Sequence, residues 1–325
     1  MRLVLAIHDP PIWTLPGEQV DRIRAALPDV EVIDAQDEED RRRTFPAADV
    51  LVTTWMTREE GQMLERARWV HSTAVGVGSL LRPGVVSRGI LVTNSRGVHA
   101  EPIAEHAIAL ALALRRGLHV AHTRQAARRW DPEALYAARV QPLQGTCLLL
   151  VGLGAIGSRV AALAGGIGMR VIGVRRRPHL PAPPGVAEVY PVERLHDALR
   201  QADIVVLAAP HTAGTRALIG AAEFAAMRPT AVFVNVARGA LVDEAAMVEA
   251  LQTGRIAAAG LDAFAHEPLA PDSPLWGLPN VLVTPHSASF QGDYWGPAVD
   301  LFLDNMGRFR RGEPLRNVVD PGLGY

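Results

Sequence analysis

The chain has 325 residues, of which 49% are hydrophobic and 21% charged, a composition typical of folded globular proteins rather than disordered ones. Its 33 basic and 34 acidic side chains nearly cancel, so no overall basic field favours binding to nucleic acid or anionic lipid. The sequence contains no lysine, which excludes a P-loop lysine, Schiff-base chemistry including that of pyridoxal-phosphate enzymes, and dehydrogenases that use lysine as their acid or base.

Short apolar runs alternate with amphipathic segments in the first hundred residues. The pattern predicts helices at 18–26 and 59–67 and strands at 3–7, 30–34, 50–54, 69–73 and 90–93. Strands that alternate with helices indicate a parallel sheet covered on both faces. The first apolar run is short and is followed at once by His8 and Asp9, which is typical of a strand and not of a signal peptide. We therefore expect a cytoplasmic protein.

A long helical pattern from 103 to about 125 precedes a second and stronger α/β run. This run predicts a helix at 158–165 and strands at 147–151, 170–174, 204–208, 231–236, 257–262 and 281–284. A last helix is predicted at 294–311. At roughly 150 residues per domain, the two runs indicate two α/β domains.

The second run opens with a glycine motif of the G-x-G-x-x-G type. Gly152, Gly154 and Gly157 directly follow the apolar strand at 147–151 and begin the helix. The first glycine allows a tight turn, the second lets the backbone approach a pyrophosphate, and the third allows close helix–strand packing. The free N–H groups at the helix N-terminus can then bind phosphate. This context predicts a dinucleotide-binding Rossmann fold.

The residues after the next strand indicate which dinucleotide is bound. An acidic residue at that position would accept hydrogen bonds from the ribose 2′-hydroxyl of NAD. The chain instead has Arg175, Arg176 and Arg177, and a guanidinium can bind a 2′-phosphate through two parallel hydrogen bonds. The pattern therefore predicts NADP as the preferred cofactor, with NAD as the alternative.

Three polar motifs follow later strands, at the edge where ligands bind in an open parallel sheet. They supply Arg238, Glu267 and His286. Arg238 can bind a carboxylate and polarise a carbonyl, while His286 can donate a proton. Glu267 can orient the imidazole and stabilise its protonated form. We predict that these three residues are catalytic.

No metal site is predicted. The single cysteine, Cys147, excludes a zinc site built from cysteines and a disulfide within the chain. His99, Glu101, Glu105 and His106 cluster in the sequence, but their spacing matches no known ligand motif.

These motifs together resemble the D-isomer specific 2-hydroxyacid dehydrogenase family, which includes glyoxylate/hydroxypyruvate reductases and phosphoglycerate dehydrogenases. The resemblance extends over essentially the whole chain and includes the segments 104–107, 151–157, 235–243, 260–264, 267–269, 274–276, 284–288 and 315–320. It implies a Rossmann cofactor domain, placed at 99–289, and a flavodoxin-like, discontinuous α/β substrate domain formed by 1–98 and 290–325. It also implies hydride transfer between NAD(P)H and a 2-oxo acid, most simply glyoxylate or hydroxypyruvate.

The resemblance extends to individual residues. Asp262 is expected to hold the nicotinamide carboxamide, and the loop at 74–78 is expected to bind the substrate carboxylate, although many members carry Asp where this chain has Gly78. The substrate-binding residues are then Val75, Gly76, Arg238 and His286. The cofactor-binding residues are Gly152, Gly154, Ala155, Ile156, Gly157, Arg175, Arg176, Pro210, Val236, Ala237, Asp262, Ser287 and Ala288.

Two alternatives remain open on the sequence alone. The chain can be a catalytically weak, dinucleotide-binding regulatory protein, like the corepressors that share this fold. The aromatic residues Phe290, Tyr294 and Trp295 can line a pocket for bulkier acids, although packing between the last helix and a sheet is the simpler interpretation. The helix at 103–116 and the segment to 143 resemble the family's dimerisation region, which implies a homodimer.

Overall fold

Strands and helices alternate along the chain, as the apolar pattern predicts. The computed structural model describes residues 1–9, 13–81, 83–138 and 140–324. In chain order the strands are β1 (Arg2–Ala6), β2 (His8–Asp9), β3 (Trp13–Thr14), β4 (Glu31–Asp34), β5 (Val50–Thr53), β6 (Trp69–Ser72), β7 (Leu91–Asn94), β8 (Cys147–Val151), β9 (Arg170–Val174), β10 (Val186–Tyr190), β11 (Ile204–Leu207), β12 (Val232–Asn235), β13 (Ala258–Leu261) and β14 (Val281–Val283). The helices are α1 (Gly17–Ala26), α2 (Glu38–Thr44), α3 (Arg58–Met63), α4 (Pro83–Val86), α5 (Ala100–Arg115), α6 (Leu118–Ala126), α7 (Pro132–Ala137), α8 (Ala155–Gly166), α9 (Leu195–Leu199), α10 (Ala221–Ala226), α11 (Glu244–Gln252) and α12 (Gly296–Arg311).

The chain divides into two compact units. Unit 1 comprises Met1–His99 and Gln291–Tyr325, and unit 2 comprises Ala100–Phe290. None of the helices in the described part of the chain has both the length and the apolarity that crossing a membrane requires.

Unit 1 contains a five-stranded parallel sheet in the order β4-β1-β5-β6-β7. Alternate residues of its strands enter two apolar cores. Leu5 and Trp69 pack on one face with Phe302 of α12, and Val4 and Leu51 pack on the other. The sheet is therefore covered on both faces, and one of its covering helices comes from the C-terminal segment.

Unit 2 contains a seven-stranded parallel sheet in the order β10-β9-β8-β11-β12-β13-β14. The first strand in the chain, β8, lies in the middle, and the strand order reverses between β8 and β11. Leu148 and Leu150 of β8 pack against small residues of α5 and α8, while Leu149 and Val151 face the opposite core. This is the doubly wound Rossmann arrangement, in which ligands bind at the carboxyl ends of the strands where the order reverses.

The structure corrects one predicted helix. The pattern at 103–125 predicts a single helix, but α5 ends at Arg115 and α6 begins at Leu118. Gly117 lies between them with a φ of 67°, a left-handed conformation that ends an α-helix. The prediction of one continuous helix was wrong.

The remaining differences concern short or polar elements. The helix predicted at 59–67 ends at Met63, and the ends of several strands shift by one residue. The helices α2, α4 and α7, the edge strand β10, and the antiparallel pair β2–β3 were not predicted.

Candidate active site

The glycine turn that joins β8 to α8 has a geometry only glycine permits. Gly152 has a φ of 108°, and a Cβ atom there would lie 2.7 Å from the backbone of Ala208. A Cβ on Gly157 would lie 2.2 Å from the carbonyl oxygen of Gly152. These contacts confirm the tight turn and the close packing expected of the first and third glycines.

The middle of this turn is open toward a ligand. A Cβ on Gly154 would meet no atom of the described residues within 4 Å, and α8 begins at the next residue, Ala155. The N–H groups of Ala155, Ile156 and Gly157 are the first of the helix and have no acceptor within it, and the helix dipole favours an anion there. An open backbone face beside free N–H groups fits the pyrophosphate of a dinucleotide.

The arginines after β9 have different surroundings. The Arg175 guanidinium donates hydrogen bonds to the carbonyls of Leu180 and Pro181, the second at 3.1 Å, so it closes its own turn. Arg176 and Arg177 are exposed. The structure therefore separates one arginine that shapes the turn from two whose side chains lie at the surface.

Arg238 follows β12 and is held by the last residue of that strand. The buried Asn235 side chain accepts a hydrogen bond from the Ala237 N–H at 3.0 Å and donates one to the Arg238 carbonyl at 3.3 Å. The Arg238 guanidinium donates to the Ala237 carbonyl at 2.6 Å. Burial lowers the pKa of Arg238, while the carboxylates of Glu267 and Asp262 act in the opposite direction. Asn235 therefore positions the arginine, a role that the sequence motif alone did not reveal.

Glu267 and His286 form a direct pair. Glu267 Oε2 lies 2.7 Å from His286 Nδ1, and Glu267 Oε1 accepts a hydrogen bond from the Phe264 N–H at 3.0 Å. Burial alone would raise the pKa of Glu267, but the hydrogen bonds from His286 and Phe264 outweigh it, so the pKa of Glu267 lies below its ordinary value. The carboxylate fixes the imidazole through Nδ1, so Nε2 is the nitrogen left to exchange a proton with a substrate.

The loop that carries His286 has a strained backbone. His286 has a φ of 52°, an uncommon conformation for a residue other than glycine. Both oxygens of the buried Asp262 carboxylate hold this loop: Oδ1 accepts from the Thr284 hydroxyl at 2.6 Å and the Ser287 N–H at 2.9 Å, and Oδ2 accepts from the Ala288 N–H at 3.0 Å. Asp262 therefore fixes the loop that carries His286 through both of its carboxylate oxygens.

The other predicted site residues lie at strand ends within their own units. Pro210 follows β11, and its carbonyl accepts a hydrogen bond from the Thr215 hydroxyl at 2.7 Å. Val236 and Ala237 are buried directly after β12. In unit 1, the Val75 carbonyl accepts a hydrogen bond from Asn94 at 2.8 Å, and Gly76 is exposed.

Two of the three aromatic residues considered for a bulky pocket are packed in unit 1. Tyr294 stacks on His99 with ring centroids 4.2 Å apart and contacts Trp13 edge-on at 5.3 Å. Trp295 is 9% exposed and belongs to the same core as Phe302. This confirms the packing interpretation for Tyr294 and Trp295, while Phe290 is 44% exposed.

Comparison with known proteins identifies the family. The family model described as "D-isomer specific 2-hydroxyacid dehydrogenase, NAD binding domain" matches residues 108–288, more than half of the chain. The chain belongs to this family. The resemblance drawn from the sequence motifs is thereby confirmed. Arg238, Glu267 and His286 all lie within the matched segment.

Individual members of the family are similar to this chain in sequence and in structure. A glyoxylate reductase of Korarchaeum cryptofilum is 36% identical over 276 residues, covering 83% of this chain and 81% of that protein. A D-3-phosphoglycerate dehydrogenase of Methanocaldococcus jannaschii is 33% identical over 309 residues, and the match spans 93% of this chain but 57% of that protein. The structure of an NADPH-dependent glyoxylate/hydroxypyruvate reductase from Sinorhizobium meliloti, in complex with NADP and sulfate, matches with a TM-score of 0.85 at 26% identity, covering 100% of this chain and 99% of that one.

Proposed function

We propose that this 2-hydroxyacid dehydrogenase is a reductase that converts a small 2-oxo acid, glyoxylate or hydroxypyruvate, to the D-2-hydroxy acid with NADPH. The observation that carries the proposal is the 2.7 Å pair of His286 and Glu267, with Arg238 close enough for its charge to act on Glu267. A cation for a carboxylate and a proton donor for a carbonyl oxygen are the two groups that this reduction requires from the protein.

Each of the three residues has one role in the proposal. Arg238 binds the carboxylate of the oxo acid and orients its carbonyl. His286 gives the proton on Nε2 to the carbonyl oxygen and recovers a proton from water afterwards. A bound reduced nicotinamide would supply the hydride that the carbonyl carbon takes up. Glu267 keeps the ring oriented through its contact with Nδ1. In the oxidising direction, neutral His286 takes the hydroxyl proton.

The cofactor proposal rests on the glycine turn and the arginines after β9. Unit 2 is the proposed dinucleotide-binding domain, and the position after β9 carries Arg175 where an NAD-selective site would carry a carboxylate. Arg175 is half-buried and shapes its own turn, whereas Arg176 is exposed, so we assign the 2′-phosphate contact to Arg176 first. The NADP bound in the similar Sinorhizobium meliloti enzyme supports this preference. Unit 1 is the proposed substrate domain, with residues 74–78 as its substrate loop.

A homodimer is proposed because α6 and α7 are left without a core. Neither helix has a buried residue, and Leu118, Trp130 and Tyr136 are 56%, 96% and 89% exposed. Large apolar side chains this exposed, on the two helices and on the residues between them, support an interface with a second copy of the chain. Arg139, which falls in the predicted dimerisation segment, lies outside the described residues. Sedimentation at micromolar concentration should give a dimer, and a stable monomer would refute the proposal; a cytoplasmic location also stays a proposal.

The test of the function is a panel of initial rates. The initial rates of NADPH oxidation and of NADH oxidation are each measured with glyoxylate, hydroxypyruvate, pyruvate, phenylpyruvate and 2-oxoisocaproate. We expect the fastest turnover with NADPH and one of the two small acids. Preference for the bulky acids would overturn the substrate assignment but keep the reaction, whereas cofactor binding without turnover on any acid would favour a regulatory protein.

The cofactor assignment has its own pair of variants. Arg176→Asp should raise the KM for NADPH by about tenfold or more and leave the KM for NADH nearly unchanged, because a carboxylate repels a 2′-phosphate. Arg175→Asp should impair both cofactors, since it opens the turn. Equal effects of Arg176→Asp on NADPH and NADH would contradict the assignment.

A further inference from the structure

His106 contacts the catalytic loop from a helix that carries none of the three proposed catalytic residues. It lies in the second turn of α5, and its Nε2 is 3.0 Å from the Thr284 hydroxyl oxygen and 3.7 Å from Asp262 Oδ1. The close approach of this helix to the sheet depends on Gly260 of β13, where a Cβ would lie 2.9 Å from the Cβ of Leu110 in α5. The contact between His106 and Thr284 is therefore part of how α5 packs on the sheet.

The direction of the hydrogen bonds follows from the groups involved. Asp262 accepts from two backbone N–H groups, those of Ser287 and Ala288, which can only donate. The single hydroxyl proton of Thr284 goes to Asp262 Oδ1, which is the nearest acceptor at 2.6 Å. The Thr284 oxygen therefore faces His106 as an acceptor, and His106 Nε2 must carry the proton that it donates.

This makes a directed chain from the helix to the catalytic loop. His106 donates to Thr284, and Thr284 donates to Asp262. The two oxygens of Asp262 then accept from the N–H groups of the two residues directly after His286. Hydrogen bonds arranged in series polarise one another in the same direction. Those amides belong to the residues directly after a histidine whose φ is 52°, and such a conformation persists only where its surroundings fix it.

We propose that His106 is a positioning residue for His286, acting through Thr284 and Asp262. The inference rests on the proposed function, because it assigns His106 a part in keeping the proton donor in place. His106 is suited to this role because an imidazole N–H reaches Thr284 from a helix face otherwise formed by apolar residues such as Ile103 and Leu110. A leucine at 106 would keep the packing and leave Thr284 without its donor.

The test uses four single variants and one double variant of the full-length protein. His106→Leu removes the donor, and His106→Gln keeps an N–H that can donate. Thr284→Val removes the link, and Thr284→Ser keeps the hydroxyl. The double variant combines His106→Leu with Thr284→Val. For each protein we measure kcat and KM with NADPH and the best 2-oxo acid, and hydrogen exchange at the Ser287 and Ala288 amides relative to Ala259, whose N–H bonds to Asn280 in the same sheet.

The expected result is a loss in kcat with little change in KM. Loss of one hydrogen bond should lower kcat in His106→Leu about five- to tenfold and speed exchange at Ser287 and Ala288 by a similar factor, with Ala259 unaffected. His106→Gln and Thr284→Ser should restore both readouts. Thr284→Val should lower kcat and speed exchange as much as His106→Leu does. The double variant should show no larger effect than either single variant, because both substitutions interrupt the same series of hydrogen bonds.

Failure of this inference can be told from failure of the proposed function. Unchanged kcat and exchange in His106→Leu, in an active enzyme, would overturn the inference alone. Equal acceleration at Ala259, or no rescue by His106→Gln, would also overturn it by indicating a merely structural role. If the wild type reduces no 2-oxo acid, the proposed function fails, and exchange at Ser287 and Ala288 still decides whether His106 holds the loop.

Discussion

Two histidines of this chain each make a 2.7 Å contact through Nδ1, in opposite surroundings. In the core of unit 1, His71 pairs with the Thr93 hydroxyl and packs against Trp69 and Phe302, with no exposed surface. Burial lowers the pKa of His71 to about 3. At the edge of the unit 2 sheet, His286 pairs with the Glu267 carboxylate, and 39% of its side chain is exposed.

The comparison shows that the length of a hydrogen bond does not decide what a histidine can do. A neutral hydroxyl inside an apolar core gives no compensation for a positive charge, so the ring of His71 stays uncharged. His286 instead has a carboxylate as its partner, and the exposed part of its side chain gives a substrate access to the ring. The charge of the partner and the access of solvent distinguish the buried His71 from His286, the proposed proton donor.

The largest effect is expected when His286, the proposed proton donor, is replaced. His286→Asn should lower kcat by about 10²–10⁴-fold, because it removes the general acid. Asparagine is the chosen replacement because it tolerates the left-handed backbone at this position. The affinity for NADPH, measured by fluorescence titration, should be unchanged. His71→Gln is the matched control and should keep the wild-type kcat, while near-normal turnover in His286→Asn would show that another group donates the proton.

A smaller effect is expected when the partner of His286 loses its charge. Glu267→Gln gives the catalytic histidine a neutral partner, as His71 already has. The kcat/KM for reduction should fall about tenfold, because a neutral amide makes a weaker hydrogen bond to Nδ1 of the imidazole than a carboxylate does. Initial rates with NADPH and the best 2-oxo acid measure this, and a wild-type kcat/KM in the variant would mean that the charge of Glu267 is not needed.

The smallest effect concerns stability and comes from His71. The pKa of His71 is about 3 in the folded protein and 6.5 in the unfolded chain, so the unfolded chain binds more protons between these two pH values. The contribution of the uncharged His71 to the free energy of unfolding is fully present well above pH 6.5. It is lost as the pH falls, by about 2 kcal/mol between pH 7 and pH 5. Urea unfolding at the two pH values, compared with His71→Gln, isolates this contribution. An equal loss in the variant would assign it to other groups.

The sequence predicts those parts of the fold and site that depend on local pattern. The strand at 147–151 and the glycines after it are predictable because apolar runs and turn chemistry act over a few residues. The trio Arg238, Glu267 and His286 is likewise predictable as residues, since each lies in a motif after a predicted strand. Their family was also identified correctly from those motifs.

Other features depend on contacts that no local pattern contains. The role of Asn235 follows from backbone groups on two neighbouring loops, and the two-oxygen hold of Asp262 follows from the register of β13 beside β14. The edge strand β10 was missed because only one of its five residues is buried and Glu188 interrupts its apolar run. The break at Gly117 was missed because the helical spacing of apolar residues continues on both sides of it.

The return of α12 into unit 1 has a consequence for synthesis on the ribosome. Leu5 and Trp69 face a core that Phe302 and Met306 complete, and these two residues leave the ribosome about 200 residues after the end of the N-terminal segment. At roughly 5–20 residues per second, that interval is about 10–40 s. Unit 2 is continuous and can fold as it emerges, whereas the nascent N-terminal sheet should expose an apolar face until the last helix is translated, which makes it the segment a chaperone would bind.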